Sequence, residues 1–198
     1  MPRVVDHEQR KREIIAAVVQ VLGEGGFGNF SLKSVADRMG GSITLVTHYY
    51  PNREALTRGL LDFALEDRNK FFAERPAFQT PEERLRAALR YFLPLDEDAL
   101  NLERARIALV SYKDIDPAIG EFFQELEPAM RAVIRSGLEG WVEADQIEGM
   151  VDILRAWTSG LTLSAVEHPE IWTARRQLEA FDRFLAALVL PMVRQPSR

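Results

Sequence analysis

The sequence predicts an all-α protein of about nine helices, and three observations carry that expectation. Apolar residues recur at helical spacing in segment after segment, and no stretch alternates apolar and polar residues long enough to make a strand. Glycines, prolines and small polar caps punctuate these segments where helices should start and stop. With 198 residues, 46% of them hydrophobic and 28% charged, the chain has enough apolar side chains for a packed core.

The first helix is expected over about Glu8–Glu24, where Ile14, Ile15, Val18, Val19 and Leu22 form one face and Gly25-Gly26 ends it. Phe27 and Phe30 flank a short loop. Ser31 then caps a two-turn helix, Leu32–Met39, that turns Val35, Ala36 and Met39 inward. Gly40-Gly41 can adopt the positive φ that ends a helix abruptly, and Ser42 caps the next, Ile43–Tyr50, which Pro51 stops. Asn52 caps a longer helix from Arg53 to about Ala73, with Glu54 in its first turn where the helix dipole favours an acid. Beyond Pro76, helices are expected over Pro81–Leu93, Asp98–Lys113, Pro117–Gly137, Gln146–Val166 and Ala174–Leu190. No internal repeat or low-complexity linker separates the parts, so two modules are expected to share a helix, divided as 1–52 and 53–198.

Charge and composition narrow the function. There is no cysteine, which excludes disulfide frameworks, thiolate metal sites and cysteine nucleophiles. No uncharged run approaches the roughly 20 apolar residues of a membrane span, and MPRVVDHEQRKRE lacks a signal peptide's apolar core, so a cytoplasmic protein is expected. The net charge of −5 is uneven. Residues 1–60 hold eight Lys/Arg against six acids, a net of +2, leaving 17 against 24 in the remainder. Positive charge is concentrated at the end where two short helices meet at a glycine turn. Such a pair suits DNA, because the second helix can lie in a major groove about 12 Å wide while the first braces it. In that arrangement Val46 and Tyr50 face inward, and Thr44, Thr47 and His48 face out. Spacing alone does not separate this from an ordinary helical hairpin.

The residues themselves go further. Gly26-Phe27-Gly28-Asn29-Phe30-Ser31-Leu32-Lys33-Ser34-Val35-Ala36-Asp37-Arg38-Met39-Gly40, then Ser42, then His48-Tyr49-Tyr50-Pro51-Asn52-Arg53-Glu54-Ala55-Leu56, resembles the signature of the TetR family of transcriptional regulators. The close match covers about a quarter of the chain; the leading helix, the length and the all-helical remainder fit more loosely. The resemblance implies an N-terminal three-helix helix-turn-helix domain that binds double-stranded operator DNA. It also implies a C-terminal domain that dimerises and binds a small-molecule effector. Base contacts are implied for Ile43, Thr44 and Leu45, with Thr47 next along the helix, and phosphate contacts for His48, Tyr49 and Arg53. Ser31, Lys33 and Ser42 complete the candidate DNA-binding set. This chain departs from the pattern at Gly41, where a valine is usual, at Ile43, often a lysine, and at Thr47, often an aromatic. Ile43 and Leu45 cannot donate hydrogen bonds, so a thymine methyl is their natural partner. The helix phase leaves open whether one of them packs inward instead. Arg3, Arg10, Lys11 and Arg12 either add phosphate contacts or form a solvated face.

Two C-terminal helices carry a second apolar face. From Gln146 to Val166 one stripe is Ile147, Met150, Leu154, Trp157 and Leu161, and the other is Gly149, Ile153, Ala156, Gly160 and Leu163. From Ala174 on, Leu178, Phe181, Leu185 and Leu188 form one stripe and Ala180, Phe184 and Ala187 another. Helices apolar on two sides are buried on two sides, so a homodimer through Ile153, Ala156, Gly160, Leu163, Phe181, Phe184 and Leu188 is expected. Trp157-Thr158-Ser159-Gly160-Leu161 followed by His168-Pro169-Glu170 is similar to the BetI- and AcrR-like branches of the same family. Phe63, Tyr91, Arg106, Tyr112, Phe123, Met130 and Trp157 are candidates for lining a largely apolar effector site, with Arg104 a further anion partner, and ordinary core packing is the competing reading for each.

An enzyme is the competing class. The sequence contains no phosphate loop, HExxH, nucleophile elbow or histidine cluster; His7, His48 and His168 stand far apart. No cofactor, metal or catalytic residue is expected. A constitutive DNA-binding dimer without an effector is the third reading.

Overall fold

The computed structural model describes residues 7–73, 78 and 80–189, with the side chains at 67, 68, 71, 72 and 188 also outside the description. Among the described residues nine α-helices form and no strand does. They are α1 (His7–Gly25), α2 (Leu32–Arg38), α3 (Ile43–Tyr49), α4 (Arg53–Ala73), α5 (Pro81–Arg90), α6 (Glu97–Val110), α7 (Pro117–Leu138), α8 (Ile147–Glu167) and α9 (Ala174–Phe184). A single 3-10 turn, Phe27–Asn29, precedes α2, and Leu185–Val189 continues α9 as a π-helix. The all-α fold and the helix count match the sequence expectation. The ends shift by a few residues: α5 and α6 stop three residues early, and α9 leaves the α-helical pattern at Phe184 to finish as the π-helix. Arg3, Leu190 and the side chain of Leu188 lie outside the described residues.

The chain divides into two compact units, one from Met1–Phe71 with Asn101–Glu127, the other from Phe72–Leu100 with Pro128–Arg198. In the first, α1 contributes Ile14, Val18 and Leu22, α2 contributes Val35 and Ala36, and α3 contributes Val46, all buried. Local chemistry holds these short helices in place. Ser31 and Ser34 form a reciprocal capping box at the start of α2, satisfying two otherwise orphaned amides. Gly40 takes φ +63°, a left-handed conformation that closes α2, and its neighbour Gly41 donates to the Ala36 carbonyl at 3.0 Å. Ser42 then caps α3 through the Leu45 amide. Arg38 and Glu24 form a two-point pair that ties the end of α2 to the end of α1.

The second unit is built around Leu85, Leu89, Ile134, Leu138, Val151, Leu154, Phe181 and Leu185. Thr80 and Glu83 box the start of α5 around Pro81. α5 and α7 approach so closely at Gly137 that a Cβ there would lie 2.8 Å from the Ala88 Cβ and 3.2 Å from the Leu85 Cα. Buried polar groups tie loops to helices: Gln177, 2% exposed, donates to the carbonyls of Pro94 and Trp172 at 3.0 and 2.9 Å, and Thr162 donates to that of Phe92 at 3.1 Å.

Candidate nucleic-acid interface

The candidate reading head is α3. Val46 is fully buried, and this fixes the helix phase. Ile43 is then 47% exposed, Thr44 is exposed, and Leu45 and Thr47 are half-buried. The alternative left open above therefore closes for Ile43, which is not packed inward. Thr47 spends its hydroxyl proton on the Thr44 carbonyl at 3.2 Å, whereas the Thr44 hydroxyl makes no hydrogen bond among the described residues. Thr44 is the better placed of the two to read a base edge.

Around α3, Ser31, Lys33, Ser42 and His48 are exposed, and Lys33 has no ion-pair partner among the described residues. Tyr49 is fixed from two sides: its hydroxyl lies 3.2 Å from the His7 Nδ1, and the His48 ring stands edge-on at 4.9 Å. Tyr50 is half-buried, and its ring rests on α4 at Gly59, where a Cβ would lie 2.5 Å from the ring. Burial raises its hydroxyl pKa, helped by Asp62 and Glu8. This seat anchors the end of α3 to α4, and its sequence signal was the isolated glycine inside an otherwise regular helix.

Arg10, Lys11 and Arg12 are engaged in ion pairs of their own. Arg10 pairs with Glu13 at 2.7 Å, Lys11 with Glu8 at 2.9 Å and Arg12 with Glu66 at 2.7 Å. Arg53, at the first turn of α4, pairs with Asp116 at 2.9 Å and sits 4.6 Å over the Phe27 ring, which itself packs 4.0 Å from Tyr112. Sequence reasoning missed Asp116. Its signal was the dipeptide Asp116-Pro117, which reads as a cap before a helix-starting proline; the long-range partner was not legible.

The candidate effector residues are distributed over both units. In the first, Tyr112 packs on Phe27, Arg106 pairs with Glu103 at 2.7 Å, and Phe123 lies edge-on to Phe122. Phe63 lines an open cleft of about 360 Å³ beside Ile15, Tyr49 and Tyr50, rimmed by Lys11, Arg12 and Glu66. In the second, Trp157 stacks flat on Phe184 at 4.0 Å, Tyr91 stands edge-on to Phe92, and Met130 is half-buried. Arg104 bonds Asn101 at 2.8 Å. Of the candidate pairing residues, Ile153, Ala156, Gly160 and Leu163 form an exposed stripe on α8, with Ile153 at 47% and Leu163 at 43%. Phe184 is half-buried, while Phe181, 3% exposed, is covered by its own unit. Among the described residues no cluster of His, Asp or Glu suited to a metal occurs, and no helix is long and apolar enough to cross a membrane.

Comparison with known proteins agrees with this architecture. Residues 81–190 match the family of BetI-type transcriptional repressors in its C-terminal domain. The regulator PksA of Bacillus subtilis is 25% identical over 182 residues, covering 85% of this chain and 84% of its own length. A transcriptional regulator from Rhodococcus sp. Rha1 superposes with a TM-score of 0.77 at 23% identity, over 91% of this chain and 96% of that one. A regulator from Saccharomonospora viridis, solved in complex with choline, superposes with a TM-score of 0.75 at 14% identity, over 91% and 97% of the two chains. A nine-helix fold opening on a capped helix-turn-helix and continuing into a BetI-type C-terminal domain has one consistent assignment: the chain belongs to the TetR family of transcriptional regulators.

Proposed function

We propose that this regulator is a ligand-responsive repressor that binds a palindromic operator as a homodimer in the cytoplasm. Residues 1–52 serve as its reading head and 53–198 as the module that pairs and senses. The observation that carries the reading is the division of α3 into a buried Val46 and an exposed Ile43–Thr44 edge, because an ordinary core helix of two turns has no reason to present that edge. Ile43 and Leu45 meet thymine methyls, Thr44 reads a base edge, and Lys33, His48, Tyr49 and Arg53 meet phosphates. The α8 stripe Ile153, Ala156, Gly160 and Leu163 supports pairing, since a solvated α8 would carry polar residues there. The choline complex of the Saccharomonospora regulator supports a small-molecule effector.

The test is binding to the DNA flanking the gene, searched for an inverted repeat and measured by fluorescence anisotropy across a salt series. A dimer bound to the repeat, and released or tightened by a ligand found in a thermal-shift screen, is the expected result. A ligand at 100 times its dissociation constant adds about 2.7 kcal/mol of stability, enough for such a screen to see. Specific DNA binding by a dimer that no ligand shifts identifies a constitutive binder, and absence of DNA binding overturns the reading.

A further inference from the structure

Asp116 uses both of its carboxylate oxygens. Oδ1 accepts from the Ala118 amide at 3.1 Å and so caps α7, while Oδ2 accepts from the Arg53 Nη2 at 2.9 Å. Asp116 is largely covered, with its side chain 15% exposed, whereas that of Arg53 is 42% exposed. The acid is therefore the fixed half of the pair and the guanidinium the half that can leave. Phe27 lies beneath the guanidinium at 4.6 Å and Tyr112 lies against Phe27 at 4.0 Å, so the turn before α2 and the loop between α6 and α7 grip the same side chain. An anionic carboxylate oxygen and an anionic phosphate oxygen are the same kind of charged acceptor for a guanidinium N–H, and Oδ2 is the one Asp116 oxygen that meets Arg53.

We propose that Asp116 is a positioning residue for DNA binding: it occupies the Arg53 guanidinium as an internal stand-in for phosphate, and the duplex must displace it. This rests on the phosphate role of Arg53 in the function proposed above. The consequence is a restrained reading head. Non-specific duplex binds more weakly than the surface charge alone would give, and the α6–α7 loop, which lies in the same compact unit as α1–α3, holds a direct grip on one phosphate contact. A half-exposed pair of this kind exchanges at modest cost, because exposed ion pairs are worth at most about 1 kcal/mol.

Asp116→Asn separates the two tasks, since asparagine caps helices as well as aspartate does but carries no charge. Binding of the full-length protein to a 30-base-pair duplex of mixed sequence should tighten about 2- to 5-fold at low salt. The slope of log affinity against log salt should stay near the wild-type value, because Arg53 meets the same phosphate in both complexes once Asp116 is displaced. Asp116→Ser, which also caps, should do the same. In an Arg53→Ala background neither substitution should change affinity or slope, whereas a merely structural Asp116 would act equally in both backgrounds. Equal effects with and without Arg53, or no tightening at all, overturn the proposal while leaving the phosphate role of Arg53 intact. An Arg53→Ala protein that binds DNA with wild-type affinity and slope overturns that phosphate role and this proposal together.

Discussion

At the residue scale the proposed DNA interface divides into groups expected to carry sequence information and groups expected to carry affinity. Thr44 stands exposed, its hydroxyl without a hydrogen bond among the described residues, and Lys33, outside α3, is a cation without an ion-pair partner among them. Thr44→Ala should change which base is preferred at one operator position by about 1–3 kcal/mol and leave the salt slope alone. Lys33→Ala should weaken every duplex by a similar factor and reduce the slope by about one. Binding isotherms on an operator series across three salt concentrations separate the two; a sequence-dependent effect of Lys33→Ala would reverse the assigned roles. Thr44 could be chosen from the sequence, because its spacing from the buried Val46 sets its face. The loss of Thr47 as an equal candidate could not, since its bond to the Thr44 carbonyl depends on a rotamer.

At the element scale, close approach and ion pairing fix how helices seat on one another. Glycine to alanine in a helix normally gains about 1 kcal/mol from propensity. At Gly137 the added methyl would meet Ala88 and the backbone of Leu85, and overpacking of this sort costs about 1–3 kcal/mol. Gly137→Ala should therefore be neutral to destabilising and Gly137→Val clearly destabilising in urea unfolding; a gain in both would mean that α5 and α7 do not approach this closely. On the other side of α7, Arg135 and then Arg131 hydrogen-bond Glu148 of α8 and hold its carboxyl below the ordinary 4.5. A lowered carboxylate pKa contributes stability that is present above the unfolded value and is lost as pH falls through the folded one. Glu148→Gln should thus lower the melting temperature slightly at pH 7 and leave it unchanged near pH 3. A difference that persists at pH 3 would assign the effect to packing rather than to charge.

For the whole molecule the surface to test is the exposed stripe of α8 proposed to pair two subunits. Gly160 has open space around it: among the described residues no atom beyond its own stretch of helix lies within 4 Å of an added Cβ, so a larger residue there starts outward from α8 without a clash. Gly160→Leu and Gly160→Arg should accordingly fold normally and yet shift light scattering from dimer to monomer, and operator affinity should fall because two half-sites are no longer read together. Variants that remain dimeric would place the pairing surface elsewhere. Phe181 takes no part in this test, since it is spent on its own core.

The helices themselves were determined locally, because capping serines, terminal glycines and apolar periodicity act within a few residues of one another. Ser31, Gly40, Ser42 and the Val46 phase are all of this kind, and for that reason the reading head was legible from its own quarter of the chain. The two stripes of α8 were legible for the same reason, since the helical period alone separates Met150, Leu154 and Leu161 from Ile153, Ala156 and Gly160. What only the tertiary structure decided are pairings between segments far apart in sequence: Arg53 with Asp116, Tyr49 with His7, Tyr50 against Gly59, Gly137 against Leu85. Each depends on where two helices come to rest, and no local periodicity encodes that. An arginine that reads as a free phosphate ligand along the chain is thereby a neutralised one in the fold, held by an acid 63 residues away.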